Sequence, residues 1–133
     1  MEFVPYEGMD AAIAAMSRGE NPGLRAPHQD GRDAHPDRVE PARIHVEEID
    51  VPVFVTGGRL DRVWPSDVMT DNIRDIRAEA GLDTVALVFP DAGHSLSGPP
   101  TMPANSADAR ARAVAFPQLL AFFDRTLRSD PEG

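Results

Sequence analysis

Two short apolar runs, Val51–Thr56 and Val85–Phe89, constrain this chain most, because each leads into a turn that delivers one polar side chain capable of chemistry. Residues 51–62 read VPVFVTGGRLDR: β-branched and aromatic residues, a Gly57-Gly58 turn, then Asp61. Residues 84–98 read TVALVFPDAGHSLSG: a second run, a Pro/Gly turn, then His94. Runs this short and this uniformly apolar fit strands buried on both faces, and Pro52 is compatible only with an early strand position or an edge. Between them Pro65 and Ser66 open a helical pattern. Met69, Ile73, Ile76 and Ala80 recur at helical spacing, and Gly81 closes the helix. In a parallel strand–helix–strand unit both strands end at one edge of the sheet, so Asp61 and His94 should emerge side by side. Open α/β sheets place their reactive groups at that edge.

The flanking regions differ in texture. Residues 1–20 hold an Ala-rich helical stretch with Asp10 as N-cap and Gly19 as stop. Residues 21–43, NPGLRAPHQDGRDAHPDRVEPAR, are dense in Pro, Gly, Asp and Arg and predict an irregular surface excursion. The chain therefore divides into an irregular lid or cap remnant over 1–43 and a regular half-domain over 44–130. A last helix is expected from about Asp108 to Leu127, with Phe116, Leu120, Phe123 and Leu127 on one stripe. Pro117 should kink or interrupt it near Ala113. The expected fold class is α/β: parallel strand, helix, strand and a C-terminal helix. Such a pair leaves an unpaired edge on each side, which implies a portion of a larger sheet.

A carboxylate that orients an imidazole is two thirds of a nucleophile–His–acid triad. The 133 residues contain no G-x-S-x-G elbow to supply the remaining third. Ser95 and Ser97 stand too close to His94 to serve it, and Ser66 is a helix-start residue. The absence of cysteine excludes disulfides, a thiolate zinc site and a Cys nucleophile within the chain. Trp64, the single tryptophan, reads first as a packing residue fixing the acid loop and second as the wall of a substrate pocket. His28, Asp30, Asp33 and His35 form HQDGRDAH, superficially a metal cluster, but no rigid element or known ligand spacing supports one. His45 reads as structural. Neither a metal nor a cofactor is expected.

A net charge of −9, with all thirteen basic residues Arg and scattered, argues against nucleic acid. No apolar run approaches the ~20 residues needed to span a bilayer, and MEFVPYEGMD lacks the pattern of a signal peptide. The expectation is a cytoplasmic chain without a membrane partner.

The runs IHVEEIDVPVFVTGGRLDRVWPS and FPDAGHSLSGPP resemble the C-terminal part of the acyl-CoA thioester hydrolases and bile acid-CoA:amino acid N-acyltransferases, within the α/β-hydrolase fold. There the acid strand leads through a Gly-Glu-Asp-Asp type of turn into Trp-Pro-Ser, and the last strand into Gly-Ala-Gly-His followed by prolines. Trp64-Pro65-Ser66, Ala92-Gly93-His94 and Pro99-Pro100 match, whereas Arg59 and Leu60 replace acidic or polar positions. The likeness covers 44 to about 127 well and 1–43 loosely, as the lid between nucleophile and acid strands. It implies that Asp61 is the triad acid and His94 the general base, and that the complete enzyme acts on an acyl-CoA or other acyl ester or thioester. The nucleophile would come from a separate half-domain, leaving this chain inert alone. The alternatives are a fragment of a dienelactone hydrolase or serine peptidase relative, and a non-catalytic half-domain that docks on a partner as a binding module.

Overall fold

The computed structural model describes residues 3–96 and 105–127. Three helices come first: α1 (Met9–Ser17), α2 (Arg25–Ala34) and the single turn α3 (Pro36–Val39). After a 3-10 turn at Val46–Glu48 follow β1 (Val53–Gly58), α4 (Ser66–Glu79), β2 (Thr84–Phe89) and α5 (Ala107–Leu127). The strands β1 and β2 pair in parallel, from Val53 opposite Thr84 to Gly58 opposite Phe89, with α4 as the crossover. The mixed α/β class and the strand–helix–strand order are as expected. No described helix is long and apolar enough to cross a membrane.

Several details differ from the sequence expectation, beginning with α1, whose N-cap is Gly8 while the expected cap Asp10 lies in its first turn. Strand β1 begins at Val53, leaving Val51 59% exposed, and it runs through both glycines instead of turning at them. Their lack of a side chain is what the strand end requires. A Cβ on Gly57 would lie 2.3 Å from the Ser66 carbonyl oxygen, and one on Gly58 would lie 2.4 Å from that of Ala92. The start of α4 and the His94 loop thus close directly onto the strand backbone.

The segment 21–43 is not irregular, since α2 and α3 occupy much of it. Its composition is a poor guide because α2 is specified by tertiary contacts. The Arg62 carbonyl accepts the Leu24 and Arg25 N–H groups at 2.7 and 3.0 Å. Gly31 lies against the Pro5 backbone, where a Cβ would approach to 2.0 Å. The expected exposure does hold, for Gly31 is the one buried residue of α2.

Helix α5 passes through Pro117 without interruption. Pro117 and Ala113 are both exposed, so solvent can satisfy the carbonyl that proline leaves unpaired. The stripe Phe116, Leu120, Phe123 and Leu127 is 46–73% exposed; the helix turns Ala111 and Phe122 inward instead. Phe122 meets Phe54 of β1 edge to face at 5.6 Å between ring centres. Apolar residues surround much of α5, and two strands have width to cover only one side of it.

The buried hydrophobic set among the described residues is small: Ala12, Ala15, Ala92, Ala111 and Phe122. On α4, Met69, Ile73 and Ile76 are half-buried and Ala80 is exposed, while the fully buried positions are Thr70 and Arg77. Arg77 spends every N–H it has. Nε donates to Thr84 Oγ1 at 2.8 Å, Nη1 to the Val46 and Ile49 carbonyls at 2.8 and 2.5 Å, and Nη2 to those of Val51 and Asp83 at 2.9 and 3.0 Å. One side chain therefore ties the 3-10 turn, the approach to β1 and the approach to β2 to the crossover helix. Its removal leaves these part-buried carbonyls without their charged donor, a bond worth about 1.5–3 kcal/mol. Arg77→Met should lower stability by about 3 kcal/mol or more in urea unfolding. Arg77→Lys should not restore it, because an ammonium has three donors on one nitrogen and cannot span these acceptors. A midpoint for Arg77→Met equal to that of the unsubstituted chain would remove Arg77 from this role.

Candidate active site

The strand ends meet through the backbone before any side chain is involved. Beyond the last paired residues, Arg59 N–H donates to the Phe89 carbonyl at 3.0 Å and Leu60 N–H to that of Ala92 at 2.9 Å. The acid loop and the histidine loop therefore run together out of the sheet. Asp61 turns back beneath them, 3% exposed, with its own N–H on the Gly58 carbonyl at 3.2 Å.

The Asp61 carboxylate is saturated. Oδ1 accepts the N–H groups of Val63 and Trp64 at 2.8 and 3.0 Å. Oδ2 accepts the Ser66 hydroxyl at 2.7 Å and lies 3.1 Å from His94 Nδ1. A carboxylate has about four lone-pair sites, and each is engaged. Burial pushes the Asp61 pKa up, but the Trp64 N–H, the Ser66 hydroxyl, the His94 imidazole and the Val63 N–H outweigh it and hold the carboxyl below its ordinary value. An ionised Asp61 requires Nδ1 to carry the proton, which leaves the Nε2 lone pair free on a ring whose side chain is 48% exposed. Nε2 has no partner among the described residues.

Two further residues position this pair. Ser66 is more than a helix start: while donating to Asp61 it accepts the Gly58 N–H at 3.1 Å, so it locks the carboxylate to the end of β1. Asp108, in the first turn of α5, grips the histidine loop on both sides of His94. Its two oxygens accept the N–H groups of Gly93 and Ser95, the latter at 3.1 Å. The sequence marks Ser66 only by its place after Pro65 and Asp108 only as a first-turn acid. Neither signal reveals a contact made 5 or 13–15 residues away.

Trp64 packs beside the acid loop and also faces a cavity. Its ring packs against Tyr6 at 6.0 Å and His28 at 5.8 Å, and it lines a cavity of about 470 Å³ together with His94, Phe54, Leu96 and Phe116. The HQDGRDAH histidines are drawn apart: His28 into that aromatic cluster, where burial and then Arg32 lower its pKa, and His35 to Glu7 at 2.9 Å. His45 sits in an exposed network with Arg43 and Glu47. Ser95 lies in an irregular loop rather than a strand-to-helix elbow, and Ser97, Pro99 and Pro100 lie outside the described residues.

Residues 12–116 match the family described as BAAT / Acyl-CoA thioester hydrolase C terminal. The chain belongs to this family, and the matched stretch runs from α1 through the site into α5. Comparison with curated proteins and with solved structures returns no match.

The lowered Asp61 pKa fixes the sign of an acid effect. The ionised carboxylate stabilises the folded state above the ordinary value of 3.8, and that contribution is lost as pH falls through the lower folded value. Ser66→Ala removes one donor, so the Asp61 titration, followed by carboxyl carbon NMR, should move upward, and acid destabilisation should begin at higher pH. Ser66→Thr keeps the hydroxyl and should keep the titration. An Asp61 titration indifferent to Ser66→Ala would show that the hydroxyl does not donate to it.

Proposed function

We propose that Asp61 and His94 are the acid and general base of a nucleophile–His–Asp triad that transfers the acyl group of an acyl-CoA thioester. The observation that carries this reading is the saturated carboxylate, which holds a single imidazole tautomer with Nε2 available. Membership in the thioester hydrolase family supports thioesters over the lactone or peptide substrates of related folds.

The nucleophile is a Ser or Cys outside this chain. Its proton passes to Nε2 as its oxygen or sulfur bonds to the thioester carbon and the carbonyl pair moves onto oxygen. Collapse of that intermediate breaks the carbon–sulfur bond, and the departing CoA thiolate takes the proton from Nε2. Water or an amine then attacks the acyl-enzyme, again through Nε2, and the nucleophile recovers its proton. Asp61 keeps its charge throughout and stabilises the imidazolium formed at each transfer. The first 43 residues act as a cap: α2 is held to the acid loop through the Arg62 carbonyl, and Tyr6 and His28 hold Trp64.

The free edge of β1 and the exposed stripe of α5 accept the nucleophile-bearing part of the fold, which also provides the oxyanion donors. Without them His94 has no group to deprotonate, and the roughly 10²–10⁴-fold contribution of a general base is not expressed. The purified chain should hydrolyse acyl-CoA and p-nitrophenyl esters no faster than its His94→Ala variant. Mixed with a nucleophile-bearing half from a family member, it should gain turnover that His94→Ala and Asp61→Asn abolish. Turnover by the chain alone, well above the His94→Ala control, would overturn this assignment.

A further inference from the structure

On the other side of the acid loop lies a second recess of about 530 Å³, lined by Arg25, Gln29, Arg59, Arg62 and Asp61 among others. It shares only Asp61 with the cavity beside His94. Three arginines face it in a chain of net charge −9, which is the reverse of what the overall composition favours.

The acids present do not neutralise this cluster. Arg25 pairs with Asp67 at 2.9 Å. The Asp61 carboxylate is buried and committed to Ser66, His94 and two backbone N–H groups. Arg59 has no side-chain partner among the described residues, and Arg62 donates only to the Asn21 carbonyl. Two guanidinium groups therefore remain without a carboxylate.

The backbone that carries them is fixed from both walls. Arg59 and Arg62 bracket Asp61 on the acid loop, while Arg25 opens α2, whose first N–H groups bond the Arg62 carbonyl. The positive end of that helix adds to the potential in the recess. Planar guanidinium forks suit the tetrahedral oxygens of phosphate.

We infer that Arg25, Arg59 and Arg62 form a phosphate-binding subsite, and that its occupant is the phosphate-bearing portion of CoA while the thioester lies on the His94 side of the acid loop. The identity of the occupant rests on the thioester reading above; the phosphate site does not. An acyl-CoA carries its charge at one end and its reactive bond at the other, and the recess and the His94 cavity separate cation and base in the same way.

Isothermal titration of the full chain with CoA, 3′-dephospho-CoA, inorganic pyrophosphate and pantetheine tests this without any turnover. CoA and pyrophosphate should bind, more weakly as salt rises, and pantetheine should not. Arg59→Glu and Arg62→Glu should each weaken CoA binding roughly tenfold or more, the effect of losing one charge-assisted contact. Arg125→Glu, beside Asp83 at the opposite end of the strands, should leave it unchanged. Because the Arg59 side chain makes no hydrogen bond or ion pair among the described residues, Arg59→Gln serves as a fold-neutral check, confirmed by an unchanged circular dichroism spectrum. CoA affinity equal in the unsubstituted chain and Arg59→Glu would overturn the subsite. Arg59-dependent binding of pyrophosphate without binding of CoA would overturn the assignment to CoA alone. Intact CoA binding with no turnover on reconstitution would count against the triad and leave the subsite standing.

Discussion

The parallel pairing of β1 with β2 is the constraint on which everything else depends, and polar groups hold it at both ends. Where the strands begin, buried Arg77 satisfies carbonyls from three separate segments. Where they end, Ser66 joins the last residue of β1 to Asp61, and Asp61 to the histidine that follows β2. Among the described residues the buried hydrophobic set is four alanines and one phenylalanine, too little apolar surface to fix a register by itself. Directional bonds to buried donors and acceptors define the register here, because a slipped strand would leave them unpaired.

The division of labour between the glycines and the acid follows from that pairing. Gly57 and Gly58 let the start of α4 and the loop after β2 touch the strand backbone. That contact brings the Ser66 hydroxyl within reach of the strand end and the acid at once. Without it the His94 loop would have no reason to stand over Asp61. Asp108 then fixes the same loop from α5, so the imidazole is positioned by three elements rather than by its own short turn.

The sequence discloses those parts of the molecule that rest on local signals. Alternation of apolar runs and helical spacing locates β1, α4 and β2, and the turn residues after each strand point to Asp61 and His94. What escapes it depends on contacts distant in the chain. Helix α2 forms in a Pro- and Gly-rich segment because the Arg62 carbonyl supplies its first acceptor. Arg77 sits on the helix face that apolar periodicity assigns to hydrophobic residues, yet its five donors suit it to full burial. The orientation of α5 could not be read from its apolar residues, since they run around the helix and either stripe could have turned inward.

The acid loop, finally, has to manage two opposite electrostatic demands within four residues. Asp61 must stay ionised while buried, and the backbone N–H groups of Val63 and Trp64 with the Ser66 hydroxyl achieve this by dipoles rather than by a neighbouring cation. A guanidinium paired directly with Asp61 would compete with His94 for the same oxygen and weaken the imidazole's hold. Arg59 and Arg62 flank Asp61 in sequence yet line the outer recess, and neither donates a side-chain bond to it. The loop thus keeps its positive charge on one side and its carboxylate on the other. That separation leaves the acid to the imidazole and the arginines to an incoming anion.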